Sequence, residues 1–471
     1  MRRPKDEESF KEYSYVQKMR ATEKILENIS GNLPKVALIF PNGYEIASSS
    51  LAWSWVQQLL CKKGIGVERF FYEPWFKRFY SLESQKPLDE FPIWMFTLQF
   101  ENDLLNIADI LVKRGIPLNS ADRFDYHPLI IIGGPVTLFN YKVVEDLADF
   151  VFVGDLECSV EEFSNALDTF SESRSIDEFL KVKRVYSKKF GKINFEKCFG
   201  KLTPVPYSHY ITSRSTFKNK LLVEVGRGCI WRCAFCVTGY TKKPVKFANL
   251  NDVLELMERY KELEFGLISA SITDYPYLNE LLEFVERNNI RFSVSSMRID
   301  KVSYKLLDLL KRTDHQSFTV APEGISQKMR DIMIKDLTAD KIIHGLRIGR
   351  EVGFESVKLY YIIGLEEESD DDYKEFFGFI KDIQKMGYKN ITLSINPLVP
   401  KPMTPFEKRS IISKKDYEER MVFIRKNLHK NVKINFESYK ESLVQYELSS
   451  LKGIETIEYI INHIKKEQSK A

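Results

Sequence analysis

The chain has 471 residues, too many for one hydrophobic core, so two domains with appendages are expected. Apolar residues make up 44%, charged residues 29% and aromatics 13%, an ordinary globular balance rich in Phe and Tyr. A net charge of +4 is too small for a nucleic-acid coat or a polybasic membrane anchor.

No apolar run reaches the roughly 18 to 20 residues that span a bilayer. The opening "MRRPKDEESFKEYSYVQ" has positive charges but no apolar core behind them, so it does not read as a secretion signal. Cys61, Cys158 and Cys198 are widely scattered and suggest no disulfide framework. A cytoplasmic protein in a reducing compartment is the expectation.

Residues 1–33 read as an N-terminal helical extension. From 34 to 165, strand-like and helix-like segments alternate. "KVALIF" (35–40), "GVERFFY" (66–72), "IWMFTLQF" (93–100), "PLIIIGG" (128–134) and "FVFVGD" (150–155) are the strands. "SSSLAWSWVQQLLCKK" (48–63) is a helix, with Leu51, Trp55 and Leu59 at helical spacing and Ser48 to Ser50 as cap candidates. Continuous apolar strands between helices predict a doubly wound parallel sheet, which binds ligands at the carboxyl ends of its strands. Gly133 and Gly134 sit at such an end. Residues 166–220 read as a linker.

From 221 to 406 the alternation resumes. Strands are expected at 221–226, 265–272, 291–296, 317–322, 356–364 and 390–396, with helices at 251–263 and 338–353, the latter capped by Thr338 and stopped at Gly353. Six such units make a partial (β/α)6 barrel of the TIM type. Residues 407–471 read as a helical C-terminal extension. The fold class is therefore α/β, a doubly wound sheet followed by a partial barrel and a helical tail.

Three of the six cysteines fall within "GRGCIWRCAFC", as Cys229-x-x-x-Cys233-x-x-Cys236. Three thiolates leave one iron of a four-iron cubane open, whereas a fully held cluster takes four. The motif follows a strand, which puts it at the carboxyl-end mouth where barrel active sites lie. Gly226 and Gly228 permit the tight loop. No His follows within about ten residues, which weakens a zinc-finger reading. A structural zinc site with a distant fourth ligand, or three unrelated buried cysteines, are the bland alternatives.

This motif resembles that of the radical S-adenosylmethionine superfamily. "YEIASSSLAWSWVQQLL", "ERFFYEPW", "GGPVTLFNYKVVEDLADFVFVGDLE", "VEVGRGCIWRCAFC", "TVAPEG", "KLYYIIGLEEESDDD" and "LVPKPMTPF" are similar, in this order, to members with an N-terminal cobalamin-binding domain. The resemblance implies that Cys229, Cys233 and Cys236 hold a [4Fe-4S] cluster, and that its open iron binds S-adenosylmethionine. It implies that Phe235 lies beside the adenine, that Ser271, Thr273 and Asp274 occupy the region that holds the methionine amino group, and that Ser295 and Arg298 lie near ribose and carboxylate. Glu323 would accept hydrogen bonds from the cofactor, and Gly364 would let the backbone approach the adenine. The family's Gly-Gly-Glu is replaced here by "ISASITDY". The bland readings are a strand-end role for Ser295, an Arg298–Glu323 ion pair and a simple turn at Gly364.

Cobalamin is the second cofactor the resemblance implies, with Gly133, Gly134, Gly154, Thr97 and Gln99 as candidate contacts. The loop "FPNGYEIASSS" lacks the histidine that many cobalamin domains supply to cobalt. His127 reads as a capping or surface residue. The implied reaction is cobalamin-dependent methylation of an unactivated carbon. The alternatives are radical cyclisation, rearrangement or coupling without methyl transfer, a methylthiotransferase-like modification of RNA or protein, and a non-enzymatic zinc-held binding module. A one-electron donor such as flavodoxin or ferredoxin is the expected partner. The Lys-rich "FIRKNLHKNVK" (423–433) keeps RNA open as a substrate, against the bland reading of a solvated helix face.

Overall fold

The computed structural model describes residues 4, 6–313 and 315–468. It divides into two compact units. The first comprises residues up to Lys201, Pro206–Leu222 and the chain from Leu448; the second comprises Leu202–Val205 and Val223–Glu447.

In chain order the first unit has strands β1 (Glu23–Ile25), β2 (Pro34–Phe40), β3 (Gly66–Phe71), β4 (Ile93–Thr97), β5 (Leu129–Gly133), β6 (Phe150–Phe152), β7 (Val185–Tyr186) and β8 (Tyr210–Thr212). Six of them form one sheet in the order β3-β2-β4-β5-β6-β7. All neighbours in it are parallel except β6 and β7. β3, β4 and β6 are buried along their whole length, as strands covered on both faces must be, and their side chains are mostly Ile, Val, Phe and Trp. The expected helix forms over Leu51–Cys61, with Trp53, Trp55 and Leu60 inside. The chain leaves β2 for one side of the sheet (β3) and then for the other (β4). That reversal makes the carboxyl ends of β2 and β4 the topological switch point, where doubly wound sheets open a crevice.

Residues 166–201 and 206–222, expected to be linker, fold with this unit. They complete the helix Val160–Ser173 and supply β7 and β8, the latter pairing antiparallel with β1. The absence of a disulfide, expected from the scatter of cysteines, is corrected: Cys158 and Cys198 are bonded, with Cα atoms 6.2 Å apart. The partners lie 40 residues apart in the chain, and the fold closes that distance at the turn after β6, where Asp155 N donates to the Cys198 carbonyl at 3.0 Å. The chain from Leu448 also belongs here: Asn140 Nδ2 donates to the Ser449 and Leu451 carbonyls, and Ser449 Oγ to Glu101.

The remaining strands are β9 (Lys220–Glu224), which runs across the boundary, β10 (Gly226–Arg227), β11 (Lys246–Phe247), β12 (Glu264–Ile268), β13 (Phe292–Val294), β14 (Ser317–Glu323), β15 (Ser356–Ile363), β16 (Asn390–Pro397) and β17 (Val432–Phe436). The six strands expected of a partial barrel are all present. They lie in two sheets rather than one arc, β13-β12-β9 and β14-β15-β16-β17. The strand β17 falls in a stretch expected to be helical. The pairs β12–β13, β14–β15, β15–β16 and β16–β17 are parallel.

The four-stranded sheet is two-faced. One face is apolar and buried: Phe318 packs on Phe354 and Tyr388, and Tyr361 on Phe376 of the helix Asp370–Lys385. The alternating residues of β14, β15 and β16 are half-buried or exposed, and period-2 geometry puts them on the opposite face. The helix expected at 338–353 spans Ala339–Glu351, and the Thr338 hydroxyl caps it by accepting from Lys341 N.

Candidate active site

The three-cysteine loop is fixed at its base and its middle. β10 and β11 pair antiparallel, Gly226 opposite Phe247 and Arg227 opposite Lys246, closing the loop into a ribbon-tied bulb. Gly228 enters it with φ +86°, and a Cβ there would lie 2.4 Å from the Lys242 carbonyl oxygen. Only glycine meets both conditions without strain. Inside the bulb, Ala234 N donates to the Met333 carbonyl at 2.8 Å, and the Ala234 carbonyl accepts from Phe406 N at 3.2 Å. Lys243 Nζ donates to the Cys229 carbonyl at 2.7 Å.

Cys233 is buried, and Cys229 and Cys236 are half-buried. Burial pushes the Cys229 and Cys233 thiols up. Each is raised further by the other two or by Cys236, while Lys335 and Arg298 pull Cys233 down. Among the described residues, no three His, Cys, Asp or Glu side chains converge closely enough to hold a single ion. A zinc ion needs its ligands within about 2.3 Å of one point. A cubane offers separate corners to separate thiolates. Three thiols on one tied loop are the donor set that a cluster held by three cysteines takes.

Around the loop the structure gathers several predicted residues and spends most of their polar atoms. Arg298 is buried, lies 3.6 Å from the Trp231 ring centroid and forks onto Asp300 with two 3.0 Å bonds. Its remaining bonds go to the Lys335 and Asp336 carbonyls. Its ion-pair partner is therefore Asp300, not Glu323. Glu323, at φ +65° where β14 ends, faces Lys335 at 3.5 Å, and burial pushes its carboxyl up. Ser271 and Thr273 share a 3.0 Å hydroxyl contact, and Thr273 Oγ1 also accepts from Arg298 N. Ser295 Oγ donates to the Ser269 carbonyl, joining the ends of β12 and β13. Gly364 has φ +98°, and Glu368 accepts from its N–H at 2.6 Å. Phe235 is half-buried between Ala234 and Cys236.

Three residues escaped the sequence reading. Trp231, between the first two cysteines, donates to Asp274 at 2.8 Å and lies under both Arg298 and Lys301. Lys335 stands between Glu323 and Cys233. Lys243 holds the loop from below. Trp231 was visible as an aromatic inside the motif; the two lysines carry no sequence signal.

In the first unit, Thr97 ends β4 at the switch point. Its hydroxyl is buried and has no hydrogen-bond partner. Gln99 is half-buried and Phe100 is 60% exposed beside it. A Cβ at Gly134 would lie 2.5 Å from the Leu98 oxygen, one at Gly154 2.9 Å from the Cys198 oxygen, and one at Gly133 3.4 Å from the Phe152 Cβ. An orphan hydroxyl at a switch point fits a polar ligand, and cobalamin there would be held by Thr97, Gln99 and Phe100. His127 lies at the other end of the sheet, before β5, where its Nδ1 accepts from Phe124 N. His209 is buried against Ser54, and desolvation pulls its pKa down to about 2. Among the described residues no helix is long and apolar enough to cross a membrane.

Two family models match the chain: "Radical SAM proteins, N-terminal" over residues 71–187 and "Radical SAM superfamily" over residues 223–380. An uncharacterised protein of Methanocaldococcus jannaschii is 27% identical over 450 residues, 93% of each chain. A ribosomal protein uS12 methylthiotransferase of Parabacteroides distasonis is 26% identical over 219 residues, covering 42% of this chain and 50% of that one. Among solved structures, the fold is similar to that of the radical S-adenosylmethionine methyltransferase TsrM from Kitasatospora setae, with TM-score 0.52 and 12% identity over 76% of this chain and 72% of that one. It is also similar to the cobalamin-dependent S-adenosylmethionine radical enzyme OxsB, solved with aqua-cobalamin and S-adenosylmethionine bound, with TM-score 0.51 and 13% identity over 74% of this chain and 52% of that one.

Proposed function

We propose that this chain, which belongs to the radical S-adenosylmethionine superfamily, is an enzyme that methylates an unactivated carbon with the help of cobalamin. The observation that carries the radical chemistry is the tied loop that holds Cys229, Cys233 and Cys236 together between β10 and β11. A [4Fe-4S] cluster held by Cys229, Cys233 and Cys236 would supply the electron that cleaves the sulfonium of S-adenosylmethionine to methionine and a 5′-deoxyadenosyl radical. The chain's part is to bind, orient and exclude water. Phe235 and Gly364 are assigned to the adenine, and Ser271, Thr273, Ser295 and Glu323 to the polar groups of the cofactor. Arg298 is assigned to holding Trp231 and the 335–336 turn, since four of its five donors are engaged there and on Asp300. Lys335 is the cation assigned to the methionine carboxylate.

Methyl transfer is favoured by the first unit. The likeness to TsrM and OxsB covers 76% and 74% of this chain, and Thr97 at the end of β4 offers a ligand an unpartnered buried hydroxyl. Cobalamin held at that edge would supply a methyl-carrying cobalt. The methylthiotransferase reading requires a second cluster. Cys158 and Cys198 are tied to each other and Cys61 is buried alone, so the described residues offer no second trio.

The test is made on anaerobically purified, cluster-reconstituted protein with a strong reductant or a flavodoxin or ferredoxin donor, S-adenosylmethionine and cobalamin. 5′-Deoxyadenosine from the wild type, and none from a Cys229→Ala, Cys233→Ala, Cys236→Ala variant, is expected. S-adenosylhomocysteine that forms only when cobalamin is present supports methyl transfer. Zinc in place of iron in protein made under iron-replete, oxygen-free conditions, with neither product, would overturn the enzyme reading.

A further inference from the structure

The four-stranded sheet of the second unit carries an unexplained row of charge. On the face turned away from the helices, the register sets Lys358 of β15 beside Thr392 of β16, and Thr392 beside Lys433 of β17. The next row toward the carboxyl ends is Tyr360, Ser394 and Asn435. These positions are half-buried or exposed, and each presents a hydrogen-bonding group.

The balance of charge is one-sided. Neither Lys358 nor Lys433 pairs with a carboxylate among the described residues. Lys358 Nζ donates instead to the Tyr360 hydroxyl at 2.6 Å and lies 4.5 Å from that ring's centroid. A half-buried ammonium whose strongest partner is a neutral phenol is incompletely compensated. It keeps two further protons to donate, and the phenol keeps its own. Two strands away Lys433 adds a second positive charge, about 10 Å off by strand spacing. Higher on the same face, Asn396 Oδ1 is buried and has no hydrogen-bond partner.

We propose that Lys358, Thr392 and Lys433, with the Tyr360 hydroxyl, form an oxyanion-binding row that seats a carboxylate or phosphate of the substrate. The proposal rests on the radical-enzyme reading only in naming the occupant as substrate. The row itself stands on the register, the bond to Tyr360 and the missing counter-charge.

The experiment is calorimetric titration of the full chain with inorganic phosphate and, separately, with malonate, at ionic strength held constant with chloride. Wild type is compared with Lys358→Met, Lys358→Arg and Lys433→Met, and thermal melting confirms that each variant is folded. Saturable binding of one probe is expected. Lys358→Met should weaken it about ten- to hundredfold, the loss of one charge-assisted contact. Lys358→Arg should stay within about threefold, because the charge and the donors persist, and Lys433→Met should fall between. Preference for phosphate or for malonate identifies the substrate's group. No saturable binding to wild type, or equal binding to wild type and Lys358→Met, overturns the proposal. Deoxyadenosine formation is read separately on the same wild-type preparation. A failure there with the titration intact removes the radical reading and leaves the anion row standing.

Discussion

Replacing Gly228 with alanine isolates what the tied loop contributes to holding metal. Two costs add. An L-residue forced to φ +86° loses about 1–2 kcal/mol relative to glycine. The new Cβ would also stand 2.4 Å from the Lys242 carbonyl oxygen, roughly 1 Å inside normal contact. Relieving a clash against backbone costs about 1–3 kcal/mol. The total is about 2–5 kcal/mol, and it falls on the bulb between β10 and β11. Gly378 is the control. It lies inside the helix Asp370–Lys385 with nothing within 4 Å of a Cβ, so Gly378→Ala should gain about 0.5–1 kcal/mol. The assay is iron and sulfide per chain after anaerobic reconstitution, beside far-UV circular dichroism. Gly228→Ala should keep its secondary structure and lose most of its iron, and Gly378→Ala should load fully. Full loading of Gly228→Ala would refute the idea that this loop geometry preorganises the three thiols.

Asp103 accepts from the Gln99 and Phe100 N–H groups at the end of β4, and burial pushes its pKa up to about 6. The folded state then binds the proton more tightly than the unfolded one. Its stabilisation is full below about pH 4 and is lost as pH rises through 6. Asp103→Asn should therefore stabilise the fold by about 1–3 kcal/mol at pH 8 and very little at pH 4, read by denaturant unfolding at the two pH values. The Cys158–Cys198 bond closes a 40-residue separation, worth about 4 kcal/mol by loop closure. Dithiothreitol should lower the wild-type melting temperature and leave Cys158→Ser, already lowered, unmoved; a wild type indifferent to confirmed reduction counts against it. Lys335→Met strips the cation from Glu323 inside the second unit and should cost about 3–5 kcal/mol. Adding Glu323→Gln should recover much of that loss in a double-mutant cycle, and simple additivity would mean the two are not coupled.

The strands that were legible are those with long apolar runs and local partners. β2 to β6 and β12 to β16 read directly, because burial on one or both faces writes itself into Val, Ile, Leu and Phe. The three-cysteine loop read directly because its spacing is local. What was hidden lies across distance. β17 is an edge strand reading "VKINF", with Lys433 and Asn435 exposed, so its polar face mimicked a solvated helix. β1 finds β8 nearly two hundred residues later, and Cys158 finds Cys198 through the turn after β6. At Gly134 and Gly154 the space a Cβ would fill holds the chain's own carbonyls, a close approach of distant segments that no local pattern announces. Arg298, read from the sequence as a residue near the ribose and carboxylate, lies over Trp231 of the loop. That its partner is Asp300, two residues on, depends on a 3₁₀ turn over Ile299–Lys301 that no periodicity announces.

The proposed anion row implies a length for the substrate. Six residues separate Lys358 from Gly364, about 20 Å of extended strand. The Lys358 ammonium sits at the level of the Tyr360 hydroxyl, which takes up about two of those residues and leaves roughly 13 Å. Glu323 and Gly364 lie at the carboxyl ends of β14 and β15, and Lys335, bonded to Glu323, is also the cation beside Cys233. A molecule whose oxyanion rests on the Lys358 row, and whose reacting carbon lies at that end, must bridge most of this distance. A free amino acid is too short, since an extended residue covers about 3.4 Å. With the substrate seated as proposed, the row and the thiols together would select an extended one. In a homologous series of α,ω-dicarboxylates offered as competitors, affinity that keeps rising with chain length is what this spacing requires, and affinity flat from malonate onward would separate the anion row from the reacting end.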